Sequence, residues 1–167
     1  MNYTKQPEHV KRRIEFLLQE ARLKSPRDQI ITFVMRVISN HASVNFDGGS
    51  SQIKKNNLYV SQKALDNLYA SNLFDNWTKS TINEHQIPLK ITWNWLLEKA
   101  NIIESSDIWS HFVKNPMVTI LKSEDKDLNK IGARSSNDVE RYLNADIKII
   151  TLKEKPYEIW KSHLKSK

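Results

Sequence analysis

The sequence predicts an α+β fold, mainly helical with a small sheet, in which an N-terminal helical hairpin packs on a mixed C-terminal part. Three observations point there. Only three glycines occur in 167 residues, two of them adjacent at Gly48-Gly49, too few for the many tight turns of an all-β design. Apolar residues recur at spacings of three and four through several segments, the period of a helix with one buried face. Two short runs, Met117 to Leu121 and Ile147 to Leu152, are aliphatic and β-branched instead, the composition of strands.

Taken in order, Val10, Ile14, Leu17, Leu18 and Ala21 define a first amphipathic helix. Pro26 ends it or starts the next. Ile30, Ile31, Phe33, Val34, Val37 and Ile38 make a second, more apolar helix, so the two form a hairpin. Residues 41–57 are polar and contain Asp47-Gly48-Gly49-Ser50-Ser51. They read either as a turn between short strands at 43–46 and 58–60 or as a loop. Ser61 is placed to cap a helix through Ala64, Leu65, Leu68 and Tyr69, since its hydroxyl can take a free N–H of the first turn. Pro88 suits the first turn of a helix through Ile91, Trp93, Trp95, Leu96, Leu97 and Ala100. Ser105 or Ser106 caps another helix with Ile108, Trp109, Phe112 and Val113, and Pro116 stops it. After the 117–121 strand, Ser123 caps a helix holding Leu128 and Ile131 that Gly132 closes. A helix around Val139 to Leu143 precedes the second strand, and Pro156 opens a last helix with Tyr157, Trp160 and Leu164.

At 19.6 kDa the chain has the size of one domain, 1–167, able to bury roughly 70% of its unfolded surface. The polar run suggests a subdivision into a helical hairpin at 1–42 and an α+β core at 58–167, joined by a loop at 43–57. A hydrophobic content of 39% is too high for wholesale disorder. The absence of cysteine excludes disulfide scaffolds, thiolate metal sites and cysteine nucleophiles. No apolar run reaches the roughly 18 residues of a membrane span, and no signal-type apolar stretch follows the basic N-terminus. A cytoplasmic protein without a membrane partner is the expectation. Neither a phosphate-cradling glycine loop nor a nucleophile elbow is present, which argues against nucleotide binding and serine-type hydrolysis.

The net charge of +7 is unevenly distributed. Residues 1–27 hold seven Lys or Arg against three acids, and residues 148–167 hold six Lys against two Glu. Such ends suit phosphate contact through Lys11, Arg12, Arg13, Arg22, Lys161 and Lys165; they equally suit solvated helix faces. Most of the five tryptophans lie among aliphatic residues and belong to the core.

The sharpest chemical feature is Asn83-Glu84-His85-Gln86-Ile87-Pro88, at a loop-to-helix transition. A carboxylate beside an imidazole can hold a divalent cation such as Mg²⁺ and activate water, as in HNH-type nucleases. It can also be structural, with Glu84 favouring the start of the following helix. Glu124-Asp125-Lys126 carries the Glu-x-Lys order of restriction-type metal sites, but acids are equally expected in a first helical turn. His111, beside Trp109 and Phe112, reads as an aromatic packing residue, while His9, His41 and His163 read as surface residues.

From Val60 to Ile149 the order of landmarks resembles a set of small bacterial proteins to which no activity is attached. The landmarks are Ser61, Ala64, Leu65 and Leu68, then Glu84-His85 with Pro88. Thr119, Glu124-Asp125, Leu128, Arg134-Ser135 and Arg141-Tyr142 follow. The resemblance implies that Glu84, His85, Glu124, Arg134 and Arg141 belong to one site. Together these readings predict a nucleic-acid-acting protein of the HNH-like nuclease kind. His85 would be the general base, Glu84 and Glu124 the catalytic and metal-holding carboxylates, and Arg134 and Arg141 the phosphate clamp. The alternative is a non-catalytic factor that binds nucleic acid or a protein partner, as in mobile-element or defence systems.

Overall fold

The computed structural model describes residues 2–45, 50–132 and 140–165. A 3₁₀ turn at Tyr3–Lys5 precedes α1 (Glu8–Arg22), α2 (Gln29–Val44), α3 (Ser50–Asn56), β1 (Tyr59–Ser61), α4 (Gln62–Ala70), α5 (Phe74–Ser80) and β2 (Thr81–His85). The chain continues through α6 (Leu89–Lys99), α7 (Ser105–Lys114), β3 (Met117–Leu121), α8 (Lys122–Lys130), α9 (Arg141–Asn144), β4 (Ile149–Thr151) and α10 (Pro156–Lys165). This is the expected α+β, mainly helical fold. It forms two compact units, one from the described part of 1–47 with 87–116, the other from the described part of 48–86 with 117–167. The pair α6–α7, assigned from sequence to the C-terminal core, therefore clusters with the N-terminal hairpin.

The first unit is helical. Asp28 starts α2 by accepting the Ile31 N–H at 2.7 Å, and Asn45, at φ 55°, ends it. Asn tolerates that left-handed position better than most residues. The predicted apolar stripes meet in one core: Val10, Ile14 and Leu17 of α1, Met35 and Ile38 of α2, Trp93 and Leu96 of α6, Ile108 and Trp109 of α7. Each fully buried aliphatic or aromatic side chain there contributes on the order of 2 kcal/mol. The start of α7 is set by Asp107, which accepts the Glu104 N–H at 2.9 Å; Glu104, not Ser105 or Ser106, holds the cap position. His41 is not a surface residue: it is 5% exposed, between the rings of His9 and Trp109 at 5.8 and 6.3 Å.

The second unit is built on a four-stranded sheet in the order β2-β3-β1-β4. Strands β1 and β3 are parallel, and the two outer pairings are antiparallel. Side chains alternate between faces along a strand, and the register Ile82↔Ile120, Glu84↔Val118 puts these four on one face. There Val118 and Ile120 pack with Leu128 of α8, Tyr142 of α9 and Ile147. A separate cluster joins Leu68, Phe74 and Trp77 to Tyr157 and Trp160 of α10. Trp77 Nε1 donates to the Ala64 carbonyl at 2.7 Å, so a large ring is buried with its one donor satisfied.

The polar run is where the structure departs most from the sequence reading. Residues 43 and 44 continue α2 and residues 50–56 form α3, so neither a 43–46 strand nor an uninterrupted 43–57 loop exists. β1 pairs with β3 and β4 instead of forming a local hairpin. Helix α8 starts at Lys122 with Leu121 at the cap position, two residues before the expected Ser123. Gly132 follows that helix at φ +68°, the left-handed conformation that glycine adopts freely. Phe46, Gly48-Gly49, Val139 and Arg134-Ser135 lie outside the described residues.

Candidate functional site

Strand β2 carries both members of the Glu84-His85 pair, and that fact separates them. Successive residues of a strand point to opposite faces, so the Glu84 carboxylate and the His85 imidazole do not converge. Glu84 lies on the face covered by α8 and α9, where it meets Arg141. Arg141 Nη2 is 3.0 Å from Glu84 Oε1, donates to Tyr142 Oη at 3.0 Å and also donates to the His85 carbonyl. What His85 gives to this cluster is a main-chain oxygen. The guanidinium carbon sits 4.7 Å from the centre of the Tyr142 ring, a cation–π contact as well. Arg141 is 1% exposed, so a charge removed from water is balanced by a carboxylate, a carbonyl, a phenol and an aromatic face. Burial pushes the Tyr142 phenol well above its ordinary pKa, and the Arg141 charge opposes that rise only in part. Tyr142 is therefore a neutral hydrogen-bonding group here.

Glu124, in the first turn of α8, is 2% exposed. Its Oε2 accepts from Ser61 Oγ at 2.6 Å and from the Leu121 N–H at 2.7 Å. The same Ser61 hydroxyl accepts the Ala64 N–H at 3.0 Å, as expected of a cap. Ser61 and Glu124 thus tie together the starts of α4 and α8, each helix following directly on one of the parallel strands. The acid satisfies orphan donors at a helix start, which is the structural use foreseen for acids in a first turn.

The other face of the sheet holds a buried polar chain. Asn57 Nδ2 donates to the Met117 carbonyl at 3.1 Å and Thr119 Oγ1 at 3.0 Å, and Thr119 Oγ1 donates to Asn83 Oδ1 at 3.1 Å. Nearby in sequence, Lys54 is 7% exposed and donates through Nζ to the carbonyls of Thr78 and Thr81 at 2.6 and 2.7 Å. Burial, and then the charge of Lys122, lower its pKa. Asn57 and Lys54 were not singled out in the sequence. A polar residue immediately before a short strand, and a lysine one position from Ile53 in an otherwise polar run, give only a faint signal.

These positions test the fit of a divalent cation. Glu84 is engaged by Arg141, His85 faces the other side of the sheet, and Glu124 is engaged by Ser61 and Leu121. Among the described residues no group of three His, Cys, Asp or Glu side chains is arranged to hold a metal ion. The residues expected to bind Mg²⁺ do not form its cradle, and no step is derived through it. Arg141, expected as a phosphate clamp, is instead enclosed by protein; Arg134 lies outside the described residues.

The basic residues fare differently. In the first unit Arg12 is exposed, and Lys11 and Arg13 are half-buried; Arg12 Nε lies 3.6 Å from Glu8 Oε1. In the second unit Lys161 and Lys165 are exposed, with Lys161 Nζ 3.5 Å from Glu158 and 4.9 Å from the Tyr157 ring centre. Lys148, Lys153 and Lys155 are exposed too. Arg22 is exposed, but its Nε donates to the Ala100 carbonyl at 3.0 Å. One surface feature escaped the sequence reading: a cleft of about 540 Å³ along the first turns of α2, lined by Arg27, Asp28, Gln29, Thr32, Phe33 and Arg36. Its signal was Ile30 and Phe33, apolar residues outside the stripe of Ile31, Val34, Met35 and Ile38.

No helix among the described residues is long and apolar enough to cross a membrane. Comparison with protein-family models, with curated proteins and with solved structures finds no match.

Proposed function

We propose that this chain is a cytoplasmic nucleic-acid-binding protein that works by contact and not by cleavage. One observation carries the reading: among the described residues, the cations of both basic ends lie at exposed or half-buried positions, while the buried cations, Lys54 and Arg141, serve the interior. A surplus of surface Lys and Arg is what phosphate recognition uses, and it needs no acid–base pair. The HNH-like reading loses its support because its acid and its base occupy opposite faces of a strand.

The test is a salt series. Wild-type protein should bind labelled nucleic acid with an affinity that falls linearly in log–log form, losing about 0.9 in slope for each duplex phosphate contacted. Lys161→Glu with Lys165→Glu should weaken it, His85→Ala should leave it unchanged, and no strand should be cut with or without Mg²⁺. A flat salt response would replace this reading with a protein partner. Cleavage abolished by His85→Ala would restore the nuclease.

A further inference from the structure

The cleft on α2 has the composition of a base-stacking site. Phe33 is 60% exposed and Ile30 is 62% exposed, on a helix whose opposite side supplies Ile31, Met35 and Ile38 to the core. The ring is flanked along the cleft by two exposed arginines, Arg27 on the N-terminal side and Arg36 one turn beyond. Positions three apart on a helix are surface neighbours, so Phe33 and Arg36 present an aromatic face and a guanidinium side by side. Several polar groups of the cleft bond within its own wall. Arg27 Nη1 donates to Thr32 Oγ1 at 3.4 Å, Thr32 Oγ1 donates to the Asp28 carbonyl at 2.7 Å, and the Asp28 carboxylate accepts the Ile31 N–H. The Asp28 side chain thus caps the helix start, and the cations of the cleft are the two arginine side chains.

We infer that this cleft binds single-stranded nucleic acid, with an unpaired base stacked on Phe33 and neighbouring phosphates held by Arg27 and Arg36. The inference rests on the nucleic-acid reading above and gives it a site and a strand preference. A phenyl ring reads nothing but a π-face, and a base offers that face only when it has left the stack of a duplex. Guanidinium groups on both sides of the ring match the phosphates that precede and follow such a base. A duplex would use the arginines and leave the ring idle.

Fluorescence anisotropy with a short labelled single strand, and with the duplex of the same sequence, tests this across a salt series. Phe33→Ala should weaken single-strand binding about tenfold and Phe33→Trp should retain it. Duplex binding should change little in either variant. Arg27→Gln with Arg36→Gln should reduce the single-strand salt slope by about 1.4. All three positions changed are exposed, and equal thermal melts show that the variants fold. Salt-dependent binding by wild type that none of these substitutions alters overturns the cleft site and leaves the general reading standing. Absence of binding by wild type overturns both. Self-association of wild type that Phe33→Ala abolishes, with nucleic-acid affinity unchanged, makes the face a contact between copies and overturns the inference.

Discussion

The two units solve the same stability problem with different materials. The helical unit buries aliphatic and aromatic side chains around Leu17, Met35, Trp93 and Trp109, and its buried polar groups among the described residues, Ser39, His41 and Thr92, include no acid, lysine or arginine. The sheet unit buries Lys54, Asn57, Thr119, Glu124 and Arg141, each tied to named partners. Apolar packing tolerates any side chain of the right volume. A buried polar frame tolerates only changes that keep every donor and acceptor matched, because an orphaned charge costs far more than a matched pair contributes.

The largest effect that could break this contrast is at the ion pair. Arg141→Met should destabilise the sheet unit by about 3–5 kcal/mol, by stranding the Glu84 carboxylate. Replacing both with methionine should recover most of that loss in denaturant melts. If the single variant is as stable as wild type, the polar frame is not holding the unit. In the helical unit Leu17→Ala should cost about 3 kcal/mol through the cavity it leaves, whereas Leu17→Met should cost less than about 1.5. A large loss in the methionine variant would mean that shape, and not volume, governs this core too.

The smallest effect is a pH dependence in the helical unit. His111 stacks on Trp95, with ring centres 4.2 Å apart and planes 12° from parallel, and burial pushes its pKa down from 6.5 to about 4. The unfolded chain therefore holds a proton between those values that the folded chain lacks. Stability is full above pH 6.5 and is lost as pH falls toward 4, by up to about 1.4 kcal/mol per unit. Thermal melts from pH 7 to 4.5 should show this slope, and His111→Gln should flatten it.

What the sequence made legible follows the same division. Helices α1, α2, α6 and α7 of the first unit announce themselves because each carries apolar residues at helical spacing. Strand β3 is equally clear, being buried on both faces at Val118, Thr119 and Ile120. Strand β2 was missed because Thr-Ile-Asn-Glu-His has one aliphatic residue, and its burial depends on polar pairs that no hydrophobic pattern reports. Helices α3 and α5 are seven residues each, too short to show a period. The resemblance alone puts Glu84 and Arg141 in one site, and their direct ion pair is hidden from the residue pattern: they are 57 positions apart, and only the strand assignment of β2 tells which way Glu84 points.

The strand pairing gives that partnership a second meaning. Residues 83–85 read Asn-Glu-His, so sliding β2 by one position along β3 would turn Glu84 to the opposite side and bring Asn83 or His85 in front of Arg141. Neither carries the negative charge that an enclosed guanidinium requires. The slipped sheet would keep nearly all its main-chain hydrogen bonds and still be rejected. Glu84 and Arg141 thus work as a key that admits one alignment of the ladder, and their value lies in excluding near-miss folds as much as in the stability of the correct one.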